Sequence, residues 1–247
     1  MENYYLSSTD IYTLLQDKGV EYLYHANTVS TSMTFIKENA LLSRGYVEEN
    51  HLVQTPQKSD KEDKLYDVWN HVFLDATDLH TRYSQANHYG PVTFRIKLEL
   101  LKNPDLPNMI ITKSNPMYWK PSTPMDSRFY NSLDDVKNDY MTGKKLDSYV
   151  MFTFKDCGKI ISLADYVVAI GIDRPEILIN LRKGVQKNVG EYTFEKIKKC
   201  LKDTGLEDIP LGFRHPEGRK FCRCNLDYTY LYNFKYPEFL KRFYPQE

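Results

Sequence analysis

Five short apolar, β-branched and aromatic runs recur along this chain at uneven intervals, and that spacing limits the folds open to it. They are Val20 to Tyr24, His71 to Asp75, Val92 to Leu98, Tyr149 to Phe154 and Tyr166 to Ile172. Each has strand length. Val92-Thr93-Phe94-Arg95-Ile96-Lys97-Leu98 alternates apolar and polar, as a half-buried strand does, while Tyr166 to Ile172 is the most apolar run and reads as a central strand. The intervals lack the regular strand–helix–strand rhythm of a parallel sheet, and neither GxGxxG nor GxxxxGK[ST] occurs. Doubly wound nucleotide folds and P-loops are disfavoured. The expected class is α+β, built on an antiparallel sheet.

Length and charge add bounds. The 247 residues suffice for a substantial core, and 33 basic residues balance 33 acidic ones, so binding to nucleic acid has to be local. Met1-Glu2-Asn3-Tyr4-Tyr5 is no basic leader, and no apolar stretch reaches bilayer length. A cytoplasmic protein with no membrane partner is expected. Four cysteines without a CxxC pair argue against a disulfide scaffold. His215 with Cys222 and Cys224 is a weak zinc spacing, and no metal is expected. The 20 tyrosines suit stacking on planar ligands and suit packing equally.

In chain order, Ser8 or Thr9 is expected to cap a helix carrying Ile11, Leu14 and Leu15 and stopped by Gly19. The first strand delivers His25 into a small polar turn at Asn27-Thr28. Ser30 or Thr31 then caps a helix that buries Met33 and Ile36, and Leu41-Leu42 resumes an extended path ending in Ser43 and Arg44. Glu48 to Lys64 is so polar that it reads as a mobile surface loop, a solvated connection in preference to a lid. Asp75 to Asn87 is helix-like and carries Tyr83. Lys102 to Lys145, rich in Pro, Asn and Ser and without strong periodicity, reads as a functional insertion with one short helix over Asp134 to Tyr140. Thr193 is expected to cap a helix ended by Gly205. The tail interleaves Arg219, Lys220, Arg223, Lys235, Lys241 and Arg242 with Tyr228, Tyr230, Tyr232 and Phe234. That pattern suits stacking on unpaired bases, and it suits packing of a C-terminal extension.

Three stretches, taken in order, resemble a known family. Leu23-Tyr24-His25-Ala26-Asn27 resembles the first motif of ADP-ribosyltransferases of the poly(ADP-ribose) polymerase type, and the helix leading to Leu41-Leu42-Ser43 resembles its continuation in DarT-like DNA-modifying toxins. Val72-Phe73-Leu74-Asp75, with Tyr83 eight residues on, resembles the second motif. The resemblance spans roughly residues 20 to 172. It implies one domain over 1–247: a split antiparallel β-sheet core with flanking helices at about 20–172, the insertion at 102–146, and a helical, aromatic extension at 173–247.

The resemblance also implies chemistry. NAD would be the co-substrate, cleaved between nicotinamide and ribose through an oxocarbenium-like transition state. His25 would hydrogen-bond the nicotinamide ribose, with the backbone of Ala26, Asn27 and Thr28 beside it. Tyr83 and Phe73 would stack on the nicotinamide ring, and Arg44 would meet the pyrophosphate, where a planar forked donor serves best. The family's third motif supplies a glutamate, and here that position falls at or near Met151, with Asp147 the nearest acid. Three readings of this gap stay open: a mono-transferase using a substrate-side base or a displaced one such as Asp147, an inactive binding member, or an inactivated variant of a toxic enzyme. The aromatic insertion and basic tail favour a nucleic-acid acceptor, RNA or single-stranded DNA, over a protein. By analogy with CmdT-like and DarT-like toxins, the chain would be an antiphage toxin held by a protein antitoxin. The alternatives are a silent NAD- or ADP-ribose-binding module on the same fold, a nucleic-acid-binding protein without an NAD site, and a mono-transferase acting on protein.

Overall fold

The computed structural model describes residues 1–78, 80, 86–141, 150–181, 184–214 and 223–245. Its centre is an eight-stranded sheet. The strands are β1 (Tyr5–Ser7), β2 (Tyr22–Asn27), β3 (His71–Asp75), β4 (Val92–Lys97), β5 (Asn108–Thr112), β6 (Met151–Lys155), β7 (Val167–Asp173) and β10 (Leu211–Arg214). They lie in the order β1-β5-β6-β3-β2-β4-β7-β10, antiparallel throughout except for the β7–β10 pair. A separate hairpin joins β8 (Leu178–Asn180) to β9 (Gln186–Asn188). Helices flank the sheet, as the α+β expectation requires.

The early helices form where the apolar spacing predicts, with caps one to three residues earlier. In α1 (Ser8–Asp17) Ile11, Leu14 and Leu15 are buried, but Ser7 caps it by accepting from the Asp10 amide. In α2 (Val29–Glu38) the cap is Thr28, and Asn39 ends the helix in the left-handed conformation. Leu41-Leu42 does not build a strand: Ser43 caps α3 (Arg44–Glu49), so Arg44 opens a helix. The later helix runs Val189–Asp203 with Asn188 as cap, leaving Thr193 buried inside it.

Two strands escape the periodicity argument. β5 lies within the supposed insertion and pairs with both β1 and β6. β10 comes from the tail and extends the sheet beside β7. The polar 48–64 segment is no mobile loop either. It closes with α4 (Asp60–Leu65), and Thr55, Ser59 and Asp63 within it are buried. The main core is one cluster joining α1, α2, the sheet and the helix Val189–Asp203. A second gathers Ile177, Ile179 and Val189 with Tyr228, Phe239 and Phe243 of the helices Arg223–Phe234 and Tyr236–Phe243. A third packs Tyr66, Ile110, Trp119 and Phe129.

The site follows from a break in the sheet. β2 and β3 pair only at Tyr24 and Asp75 and then diverge, while β2 stays paired to β4 along its whole length. Gly90 allows the opposite wall to close, because a Cβ there would sit 2.2 Å from the Asn27 carbonyl oxygen. Among the described residues no helix is long and apolar enough to cross a membrane.

Candidate active site

The cleft opens where β2 and β3 part. Strand alternation turns His71, Phe73 and Asp75 of β3 into it, and β2 contributes His25, Ala26 and Asn27. Arg44, Gln57, Asp63, Trp69, Tyr89, Asn115 and Met151 are among the other residues of its wall. A mostly apolar wall with a few convergent polar groups suits an organic ligand.

His25 spans the break. Its Nδ1 lies 2.8 Å from the Phe73 carbonyl, which can only accept, so Nδ1 carries the proton. Nε2 is then the acceptor, 3.4 Å from the Asn27 amide nitrogen. Burial lowers the imidazole pKa, and the Phe73 bond recovers part of the shift, so a neutral ring with an acceptor facing the cleft is the neutral-pH state. Asn27 is itself fixed, its Oδ1 accepting from the Thr28 amide at 2.9 Å and from Gln57 Nε2 at 3.3 Å.

Arg44 is clamped. Nη2 donates to Asp60 at 2.8 Å and to the Thr55 carbonyl at 3.1 Å, and the guanidinium lies 5.2 Å from the Trp69 ring centre. Its buried Nη1 has no acceptor among the described residues, which leaves one fork of the guanidinium free for an anion. The carboxylates of the cleft behave differently. Burial raises Asp63 to about 6, against a Ser59 hydrogen bond that lowers it. Burial, with nearby Asp78, raises Asp75 to about 7. The Thr153 hydroxyl donates to the Ile110 carbonyl, so it accepts a hydrogen bond from His71 Nδ1–H at 2.9 Å, and burial lowers the His71 pKa to about 4.

The cleft therefore gathers His25, Ala26, Asn27, Arg44, Phe73 and Met151, six of the residues singled out from sequence. Thr28 is apart from its lining, with its hydroxyl shared between Thr31 and Thr55 as the α2 cap. Tyr83 and Asp147 lie outside the described residues, as do His215 and Cys222. Met151 does face the cleft, and across β6 and β3 its register partner is Asp75. Among the described residues no group of three or more His, Cys, Asp or Glu side chains is placed to hold a metal ion.

No family model matches the sequence, and no curated protein matches it. Among solved structures, Thermus sp. 2.9 DarT in complex with ADP-ribosylated ssDNA is 11% identical over 79% of this chain and 95% of that chain, with a TM-score of 0.47. The same protein in complex with carba-NAD+ is 11% identical over 79% of this chain and 96% of that chain, with a TM-score of 0.43. Its NAD+ complex is 12% identical at a TM-score of 0.43.

Sequence reasoning missed Asp75, Asp63, Tyr89 and Trp69 as wall residues. Asp75 was visible only as the end of a strand, and its position opposite Met151 is a long-range fact. A second groove adjoins the cleft and shares Gln57, Ser59 and Tyr89 with it. Lys58, His88, Met117, Tyr118, Lys235, Lys241 and Arg242 line it, with Glu238 as the one acid among its described lining residues. Tyr118 is 62% exposed.

Proposed function

We propose that this chain is an NAD-dependent ADP-ribosyltransferase acting on a nucleic acid. The observation that carries the reading is the meeting of the two motif-like stretches, 23–27 and 72–75, at the break between β2 and β3, bridged by the His25–Phe73 bond. NAD would enter as substrate. The neutral His25 ring would accept a hydrogen bond from a hydroxyl of the nicotinamide ribose, and Phe73 and Tyr83 would offer aromatic faces to the nicotinamide. Arg44 Nη1 would meet a pyrophosphate oxygen while Asp60 and Thr55 hold the guanidinium flat.

The adjoining groove supports the acceptor. Four fixed cations stand there against one carboxylate, complementary to a phosphodiester backbone, and the exposed Tyr118 ring suits stacking on an unpaired base. A toxin role in antiphage defence, with a protein antitoxin holding the chain in check in the cytoplasm, is supported by the motif resemblance.

A second reading is a silent NAD- or ADP-ribose-binding module, favoured by Met151 at the place of the family's glutamate. One experiment separates the two. The chain is incubated with NAD labelled on the adenosine side and, separately, with single-stranded DNA, RNA and protein. Label on a nucleic acid supports the transferase, label on protein alone replaces its acceptor class, and calorimetric NAD binding without transfer supports the module. Absence of both binding and transfer removes both readings.

A further inference from the structure

We propose that the carboxylate of Asp75 takes the acceptor's proton in the transfer reaction, in the place where the chain carries methionine instead of glutamate. The inference rests on the transferase reading above. Asp75 lines the cleft at the last residue of β3, flanked by Tyr24 of β2 and Met151 of β6. Partners directly opposite in neighbouring strands hold their Cβ atoms about 5 Å apart, so a carboxyl on β3 reaches much of the space that one on Met151 would reach. Among the described residues no donor reaches the Asp75 carboxyl, and Arg44 is committed to Asp60. A half-buried carboxylate that lines the cleft without a donor is free to act on what enters there.

The titratable and charged groups around it are few. Asp78 follows on the same segment, with its own charge met by Arg214. Tyr24 pairs from β2, and Tyr89 and Asp63 also line the cleft; burial raises the Tyr89 pKa, and the charges of Asp63 and Asp75 add to that shift. His25 is held neutral. No described cation faces Asp75 closely enough to keep it ionised at low pH, so burial sets its affinity near neutrality, where a general base is most effective.

The bond from the ribose C1′ to the nicotinamide nitrogen breaks, and its electron pair stays on that nitrogen, giving neutral nicotinamide. A lone pair on an acceptor nitrogen or oxygen forms the new bond to C1′. The acceptor's proton passes to Asp75 and then to water, so NAD+ and the acceptor yield ADP-ribosyl acceptor, nicotinamide and one proton.

The test compares wild type, Asp75→Asn and Asp75→Glu in three measurements: NAD affinity by calorimetry, transfer of labelled ADP-ribose, and the pH profile of kcat/KM. The proposal expects wild-type kcat/KM to rise with pH to a plateau, with a midpoint near 7. In Asp75→Asn, NAD affinity should stay within about twofold while transfer falls 100-fold or more and that limb disappears. Transfer by Asp75→Asn at the wild-type rate with an unchanged limb overturns the proposal and leaves the transferase reading standing. Wild type that neither binds nor cleaves NAD overturns both. Should Asp75→Asn not fold, Asp75→Glu decides: a displaced limb supports the proposal and an unmoved one overturns it.

Discussion

The cleft and the junction beneath the C-terminal helices both hold a carboxylate at the end of a strand, half-buried Asp75 and buried Asp173, and they treat them in opposite ways. At the junction Asp173, fully buried, accepts from Arg214 Nη1 at 3.0 Å and from the Tyr228 hydroxyl at 2.7 Å. Arg214 also donates to Thr93 at 2.8 Å and pairs with Asp78. Gly171 makes room for this, since a Cβ there would lie 2.5 Å from Arg214 Cγ. In the cleft Asp75 has no donor among the described residues. A carboxylate ringed by donors holds elements together; one left without them in a mostly apolar wall is poised to bind a proton. Asp78 touches both regions, paired at the junction and repelling Asp75 at the cleft.

That contrast breaks most directly at Asp173. Asp173→Ala leaves the Arg214 guanidinium buried without its main partner, and the expected loss is about 3–5 kcal/mol in a urea titration. A loss below about 1 kcal/mol would mean that the junction does not anchor β10 and the helix Arg223–Phe234. Asp75→Asn should act the other way. A carboxyl raised in the fold from its ordinary value near 3.8 to about 7 binds protons more tightly folded than unfolded, so the wild type loses stability as pH rises between those values. The asparagine variant should therefore match wild type near pH 3.5 and exceed it by about 1–3 kcal/mol at pH 8. Destabilisation at pH 8 would show that Asp75 has a structural partner.

These two carboxylates also show what the sequence could and could not disclose. His71 to Asp75 and Val92 to Leu98 are legible because alternation and β-branching mark one buried face, and His25 is legible from its motif. β5 was hidden because Asn108–Thr112 is five residues long amid Pro- and Asn-rich chain, and β10 because Leu211–Arg214 is shorter still and ends in a charge. Thr55 and Asp60 looked like solvated loop until the fold set them against Thr28 and Arg44. Polar residues that bury themselves by pairing with distant chain leave no periodic trace. The role of Asp75 depends on strand register with Met151, which no local pattern encodes.

The groove gives the smallest expected effect. Lys235→Glu with Lys241→Glu should leave NAD binding unchanged and weaken single-stranded nucleic-acid binding. The slope of log K against log salt should become shallower by about 0.7 for each phosphate contact removed. An unchanged slope would place the acceptor elsewhere.

The central claim is that the break between β2 and β3 is an NAD site read by His25. Calorimetric titration of NAD into wild type and into His25→Ala tests it most directly. Saturable binding at one site is expected in the wild type and at least tenfold weaker binding in the variant, with the melting temperature shifted by only a few degrees. Equal affinity in the two proteins, or no binding to the wild type, would contradict it.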